Sequence, residues 1–413
     1  MTLKITLIII KLKGSDFLKL SNRIQNMIFS PIRKLNPYAI QAKKEGVHVY
    51  HINIGQPDIE TPMLFFDAVK DFKQKVLSYC DSQGIDPLIK SNIEYYKSIG
   101  IDFSEDELLI TNGGSEALLF AFSACLDHGD SILTSNPFYT NYRNIADIVG
   151  NKIITFPTKP EDGFRLPSFE ILESCVKEDT KALMLSSPGN PTGVVYTKEE
   201  IDTLCELCIK HDLFYITDEV YREFIYETDE HSSPLYREDM KDRTVLIDSV
   251  SKRYSACGAR VGVIASKNKD IINNSLKMSQ ARLSSPTLEQ IGAAALIKTP
   301  KEYFDKVREE YKKRRDVLYS GLSSIPGVMC QKPAGAFYAI AKLPVKNAEN
   351  FCKWLLSDFR LDNKTIMMAP ANGFYSDPLT EGLNEVRISY CINCDALKDS
   401  MIILKAALEN YKD

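Results

Sequence analysis

Apolar runs of strand length alternate with amphipathic stretches of helix length through the middle of this chain. The runs are SILTS (131–135), KIITF (152–156), KALMLSS (181–187), LFYITD (213–218), RTVLIDSV (243–250) and ARVGVIAS (259–266). Helical patterns lie between them at 115–127, 138–148, 168–177 and 197–211. This alternation predicts an α/β fold, a mostly parallel sheet sandwiched by helices. The unbroken apolar stretch ALML fits a strand buried on both faces. After about residue 267 the pattern changes to long helices, including PKEYFDKVREEYKKRRDVLYSGL (300–322). The run KKRRD in it reads as a solvated helix face. Short strands (GAFYAI, EVRISY) and a terminal helix (DALKDSMIILKAALENY) predict a smaller α+β unit. Segment 31–60, with Pro31, Pro37 and Pro57, is expected to run over the surface toward it. The expected division is therefore residues 1–60 as an N-terminal arm and part of the small domain, 61–300 as the large domain, and 301–413 as the small C-terminal domain.

With 51 Lys+Arg against 55 Asp+Glu, the net charge of −4 shows no basic excess for nucleic acid. Ten cysteines in 413 residues are too dilute for a disulfide scaffold. Two pairs have C-x-x-C spacing. Cys205 and Cys208 fall on one face of a helical pattern, and Cys391 and Cys394 follow a strand. Neither pair sits on the knuckle-like turn that a structural zinc needs, so reduced core thiols of a cytoplasmic protein are expected, and no metal. The opening run MTLKITLIIIKLKG is too short to span a bilayer and lacks a cleavage site, so it reads as a frayed arm or an over-extended start.

Four segments fall at strand ends, where α/β sheets bind ligands. In TNGGSEAL (111–118), Gly113 and Gly114 free the backbone at a helix start, and Ser115 adds a hydroxyl beside exposed N–H groups. That arrangement suits a phosphate, though it also describes an ordinary helix entry. In SSPGNPTG (186–193), two prolines and two glycines make a rigid turn that holds Asn190. In ITDEVYREF (216–224), Asp218 ends a buried strand, which calls for a facing cation unless the carboxylate merely caps a helix. In DSVSKRYSACGAR (248–260), Lys252 follows a buried strand with Ser249, Ser251 and Arg260 nearby. An apolar crevice disfavours a lysine's charged form and frees its amine to attack an aldehyde. Arginine and serine hydroxyls would hold a dianion.

The ordered set GGSEAL, PGNPTG, DEVY, SVSK with ARVG, and VRIS resembles the class I/II aminotransferases, the fold-type I enzymes of pyridoxal 5'-phosphate (PLP). The resemblance runs from IGQPDIETP (54–62) to the C-terminus. It implies that Lys252 carries the cofactor as a Schiff base and shuttles a proton. It implies that Asp218 keeps the ring nitrogen protonated, while Tyr221 and Asn190 hydrogen-bond the ring oxygen. Tyr139, in NPFYTNY, matches the aromatic that stacks on the ring. Gly114, Ser115, Ser249 and Arg260 match the phosphate grip. Arg387, in EVRISY, would clasp the substrate α-carboxylate beside Gly55. Tyr79 matches a tyrosine that reaches the neighbouring subunit's phosphate, so a homodimer with shared sites is implied. The chain departs from the family at GIDPL, where GIPEL is usual, and in the loop MMAPANGFY, which is less glycine-rich.

The activity this implies is transfer of an amino group from an α-amino acid, aspartate or similar, to a 2-oxo acid, with 2-oxoglutarate as acceptor. Aromatic or neutral amino acids are the alternative donors. A carbon–sulfur lyase would need the same Lys252, Asp218 and Arg387. A cofactor-binding regulator would carry a helix-turn-helix domain ahead of this one, where only a short segment stands. A dicarboxylate donor needs a second arginine for its side chain. Arg282, in SQARLSSP, is the candidate, with a surface position as the alternative.

Overall fold

A computed structural model describes residues 20–227 and 230–413. The N-terminal run 1–14 lies outside the described residues. In chain order, β1 (His48–His51) belongs to a small unit. The large sheet is built from β2 (Leu108–Thr111), β3 (Ser131–Asn136), β4 (Lys152–Pro157), β5 (Thr180–Ser186), β6 (Phe214–Asp218), β7 (Thr244–Ser249) and β8 (Gly262–Ala265). The small unit adds β9 (Met329–Cys330), β10 (Tyr338–Lys342), β11 (Lys364–Met367), β12 (Ala369–Pro370) and β13 (Glu385–Ser389).

The seven-stranded sheet has the order β2-β8-β7-β6-β5-β3-β4. From β4 to β7 every neighbour is parallel, and only β8 runs against its neighbours β7 and β2. Helices Gly114–Cys125, Thr140–Val149, Phe169–Cys175 and Lys198–Lys210 fall where the sequence periodicity puts them. The last begins with a capping box, in which Thr197 and Glu200 satisfy each other's backbone N–H groups. Strand β5 is buried on both faces from Ala182 to Ser186, as the ALML run requires. The sheet is therefore mostly parallel and flanked by helices.

One strand of the large sheet escapes the sequence reading, as do the short strands β1, β9, β11 and β12 of the small unit. LLIT (108–111) is too short to stand out, yet all four of its residues are buried. Segment 31–60 is also more than a surface run. Its helix Asn36–Lys44 and strand β1, paired in parallel with β11, put Leu35, Ala39, Ala42, Val49 and Ile52 into one core with Phe337, Leu355, Ile388 and Leu404. The KKRRD face is only half solvated. Lys312 and Lys313 are exposed, but Arg314 is buried against Asp58 and Glu310, and Arg315 against Glu227 and Asp316. Cys205 and Cys208 do share one buried helix face. No helix among the described residues is long and apolar enough to cross a membrane.

The topology delivers the motif segments to one edge. Because β8 is reversed, Arg260, two residues before it, lies at the same edge as the carboxyl ends of β2, β6 and β7. Gly262 stands opposite both Thr111 and Ser249. A Cβ on Gly262 would lie 2.4 Å from the Gly113 carbonyl carbon and 2.7 Å from the Gly114 nitrogen. Backbone cannot yield as a flexible side chain can. Gly262→Ala is therefore expected to lower stability by about 1–3 kcal/mol, read as a lower urea midpoint at unchanged slope. A wild-type midpoint would show that the 113–114 turn gives way freely.

Candidate active site

Asp218 ends β6 at 5% exposure. Its Oδ2 accepts a 2.7 Å hydrogen bond from the Tyr142 hydroxyl, and its Oδ1 a longer one from the Val220 N–H. Burial pushes its carboxyl up to about 6, while the Tyr142 and Val220 hydrogen bonds pull the other way. Among the described residues no lysine or arginine forms an ion pair with it. Three residues on, the Tyr221 hydroxyl shares a 2.9 Å hydrogen bond with that of Tyr338, on β10.

Lys252 lies in the short helix Val250–Arg253 that follows β7. The neighbouring Arg253 is buried, bonded to Asp248, and lies 3.6 Å over the ring of Tyr95; Tyr96 also bonds Asp248 at 3.0 Å. This buried pair pins the turn. Ser249 caps it by accepting from the Ser251 N–H, and donates to the Val261 carbonyl at 2.9 Å. Lys252 Nζ, half-buried, donates to the Gly55 carbonyl at 2.9 Å, and no carboxylate pairs with it among the described residues. Gly55 has to be glycine here, because a Cβ would meet the Tyr338 hydroxyl at 1.8 Å.

Arg387, on β13, is 1% exposed. Its Nη1 donates to Asn190 Oδ1 at 3.1 Å and its Nη2 to the Asn53 carbonyl at 2.6 Å. The guanidinium stacks on Tyr338 and Phe374, at 4.5 and 4.8 Å from their ring centres. Its Nε has no partner, and no carboxylate faces it among the described residues. A buried guanidinium with neutral partners and an orphaned N–H is a carboxylate receptor.

Gly114 and Ser115 open the helix Gly114–Cys125, so its free N–H groups face the sheet edge. Arg260 lies against Gly113, where a Cβ would come 2.4 Å from its Nη2. It is exposed, in a left-handed conformation, and among the described residues its hydrogen bonds go to the carbonyls of Cys257 and Asn112. Tyr139 caps the next helix and packs edge-on against Tyr142 at 5.4 Å. The charges of Arg387, Asp218 and Arg260 all act on its phenol, which burial raises.

Lys252, Gly55, Tyr221, Asn190, Arg387, Asp218, Tyr139, Gly114, Ser115, Ser249 and Arg260 thus gather at one edge. Tyr79 does not join them within one chain: its side chain is 79% exposed. Arg282 pairs with Glu116 at 3.2 Å and bonds Ser279, Ser285 and the Ile110 carbonyl. The sequence reading missed Tyr142, Tyr338 and Asn53. Tyr142 was detectable as one helical turn beyond Tyr139. Tyr338 and Asn53 had no sequence signal, since the residues they bond, Tyr221 and Arg387, are remote from them in the chain.

The cluster combines a buried tyrosine with, among the described residues, an acid that forms no ion pair with a lysine or arginine, an amine paired with no carboxylate, and two arginines paired with no acid. An organic cofactor with a basic ring nitrogen, an aldehyde and a phosphate would fit these residues.

Comparison with known proteins agrees. The aspartate aminotransferase of Bacillus subtilis (strain 168) is 31% identical over 405 residues, covering 95% of this chain and all of that one. A probable aspartate/prephenate aminotransferase of Aquifex aeolicus (strain VF5) is 29% identical, over 94% of this chain and 98% of its own. The structure of Thermus thermophilus aspartate aminotransferase with maleate superposes with a TM-score of 0.85 at 27% identity, covering 95% of this chain and 100% of that one. An alanine aminotransferase from Pyrococcus furiosus superposes at 0.87, with the same identity and coverage. Residues 48–398 match the family described as aminotransferase class I and II, and the chain belongs to that family of amino-group-transferring enzymes.

Proposed function

We propose that this enzyme uses PLP, the cofactor of its family, to move an amino group from aspartate or a similar dicarboxylic amino acid to 2-oxoglutarate. The observation that carries the cofactor assignment is Asp218, a buried carboxylate at the sheet edge with no ion-pair partner among the described residues. When bound, the cofactor supplies an aldehyde for the amino group and an electron-withdrawing ring. Lys252 would hold that aldehyde and afterwards move the proton at the substrate α-carbon. Asp218 would keep the ring nitrogen protonated, with Tyr142 orienting it. Tyr221 and Asn190 would hydrogen-bond the ring oxygen, and Tyr139 would stack on the ring. Gly114, Ser115, Ser249 and Arg260 would hold the phosphate. Arg387 would take the α-carboxylate, with Gly55 beside it and Asn190 orienting it. The names of the Bacillus, Aquifex and Thermus relatives support a dicarboxylic donor. The Pyrococcus neighbour supports a small neutral donor as the second reading.

We read residues 1–60 and 301–413 as the small domain and 61–300 as the large one, supported by the core that 35–52 shares with 307–407. The reading includes a cytoplasmic homodimer. The exposed apolar side chains of Met63, Phe66, Val76, Leu77 and Tyr79 support a partner surface there.

Lys252→Ala should lower transamination by ~10²–10⁴-fold or more while a folded protein persists by circular dichroism. Turnover close to wild type would refute the assignment. The wild type should also shift its absorbance from the PLP to the pyridoxamine form on adding a donor.

Asp218 gives a pH signature. Its folded pKa is raised from 3.8 to about 6, so the unfolded chain ionises first as pH rises. The stability that its neutral form contributes is full below about pH 4 and is lost as pH climbs through about 6. Cofactor-free Asp218→Asn should therefore lose less stability over that window, by up to roughly 3 kcal/mol, yet turn over more slowly when loaded. Identical pH–stability curves, or unchanged turnover, would make Asp218 a plain helix cap.

Refolding Lys252→Ala together with Tyr79→Phe should yield activity above the sum of the two separate proteins. No gain would exclude a site shared through Tyr79.

A further inference from the structure

Arg387 grips what all α-amino acids have in common, so it cannot sort donors. Selecting a dicarboxylate takes a second cation at the far end of the substrate. Arg282 is spoken for by Glu116. Arg33 is differently placed.

It sits in the turn 31–35, which is tied into the walls of the cleft on both sides. Pro31 packs on Gly373, where a Cβ would fall 2.6 Å from it, and the next residue, Phe374, stacks on Arg387. The Ile32 carbonyl accepts a 2.8 Å hydrogen bond from the buried Asn53 side chain, and the Asn53 carbonyl accepts from Arg387. Leu35 is anchored in the small-unit core, and Lys34 pairs with Glu349 at 2.5 Å. Ahead of the turn, the helix Asn22–Gln25 packs against the helix Thr140–Val149, which begins right after Tyr139. Arg33 is thus carried on a braced segment spanning from the Tyr139 helix to the Arg387 strand. It is exposed, and unlike Lys34 it has no carboxylate partner among the described residues. Its charge also acts on the Tyr139 phenol.

We propose that Arg33 receives the side-chain carboxylate of dicarboxylic substrates, opposite the α-carboxylate on Arg387. This rests on the dicarboxylate reading above. Arg33 would act as a specificity residue, its planar fork pairing both oxygens of the distal carboxylate.

The test compares aspartate with alanine as donors for the PLP-loaded wild type, Arg33→Ala and Arg33→Lys. The ratio of kcat/KM for aspartate to that for alanine should fall on the order of 10- to 100-fold in Arg33→Ala, chiefly through KM, and less in Arg33→Lys. Maleate binding, measured by calorimetry on the same proteins, should weaken in parallel. An unchanged ratio overturns the proposal, whether both donors suffer equally or neither does, and so does unchanged maleate affinity. A wild type that ranks alanine above both aspartate and glutamate sinks the dicarboxylate reading and Arg33's role with it. A wild type that prefers aspartate while Arg33→Ala keeps that preference sinks Arg33 alone.

Discussion

Charges without counter-charges at the carboxyl edge of the large sheet are what the surrounding structure is arranged around. Asp218 and Arg387 are buried, Lys252 is half-buried, and none of them forms an ion pair among the described residues. Leaving such groups uncompensated is costly, several kcal/mol for a fully buried ion. Neutral donors and acceptors soften the penalty. Tyr142 and the Val220 N–H serve Asp218, Asn190 and the Asn53 carbonyl serve Arg387, and the Gly55 carbonyl serves Lys252. Where charge is needed only for structure it is neutralised outright. Asp248 with Arg253, and Glu219 with Arg222, are buried pairs beside the open groups. Compensated pairs thus hold the frame, and the unpaired groups are the ones proposed to meet cofactor and substrate.

Much of this was readable in the linear sequence, for a physical reason. Strands buried on both faces must be continuously apolar, so β3, β5, β6 and β7 announce themselves. A chemical group at the end of such a strand has few structural excuses, which is why Asp218, Lys252 and the turn around Asn190 stood out. Short or composite features did not. LLIT is four residues long, and its identity as a strand depends on pairing with β8, more than 150 positions later in register. The Tyr221–Tyr338 contact joins residues 117 positions apart.

Charge was the least legible property. Arg314 and Arg315 sit in a run that reads as solvent-facing, yet each is buried because acids from other segments, Asp58 and Glu227, come to meet it. Arg282 looked available because its partner Glu116 is equally remote in sequence. An arginine's environment is decided by which carboxylates the fold brings to it, and composition along the chain carries no record of that.

The glycines at the cleft have a consequence for how such an enzyme can change. Gly55, Gly113 and Gly262 each stand where a single methyl group would strike Tyr338, Arg260 or the neighbouring backbone. The floor of the cleft therefore resists enlargement, most firmly at Gly262, where the obstacle is backbone. The turn 31–35 is attached through Pro31, Ile32 and Leu35, which leaves the outward side chain between them free to vary. Lineages descending from such a scaffold can diverge in diet, exchanging one amino donor for another, while the reaction centre they inherit stays the same.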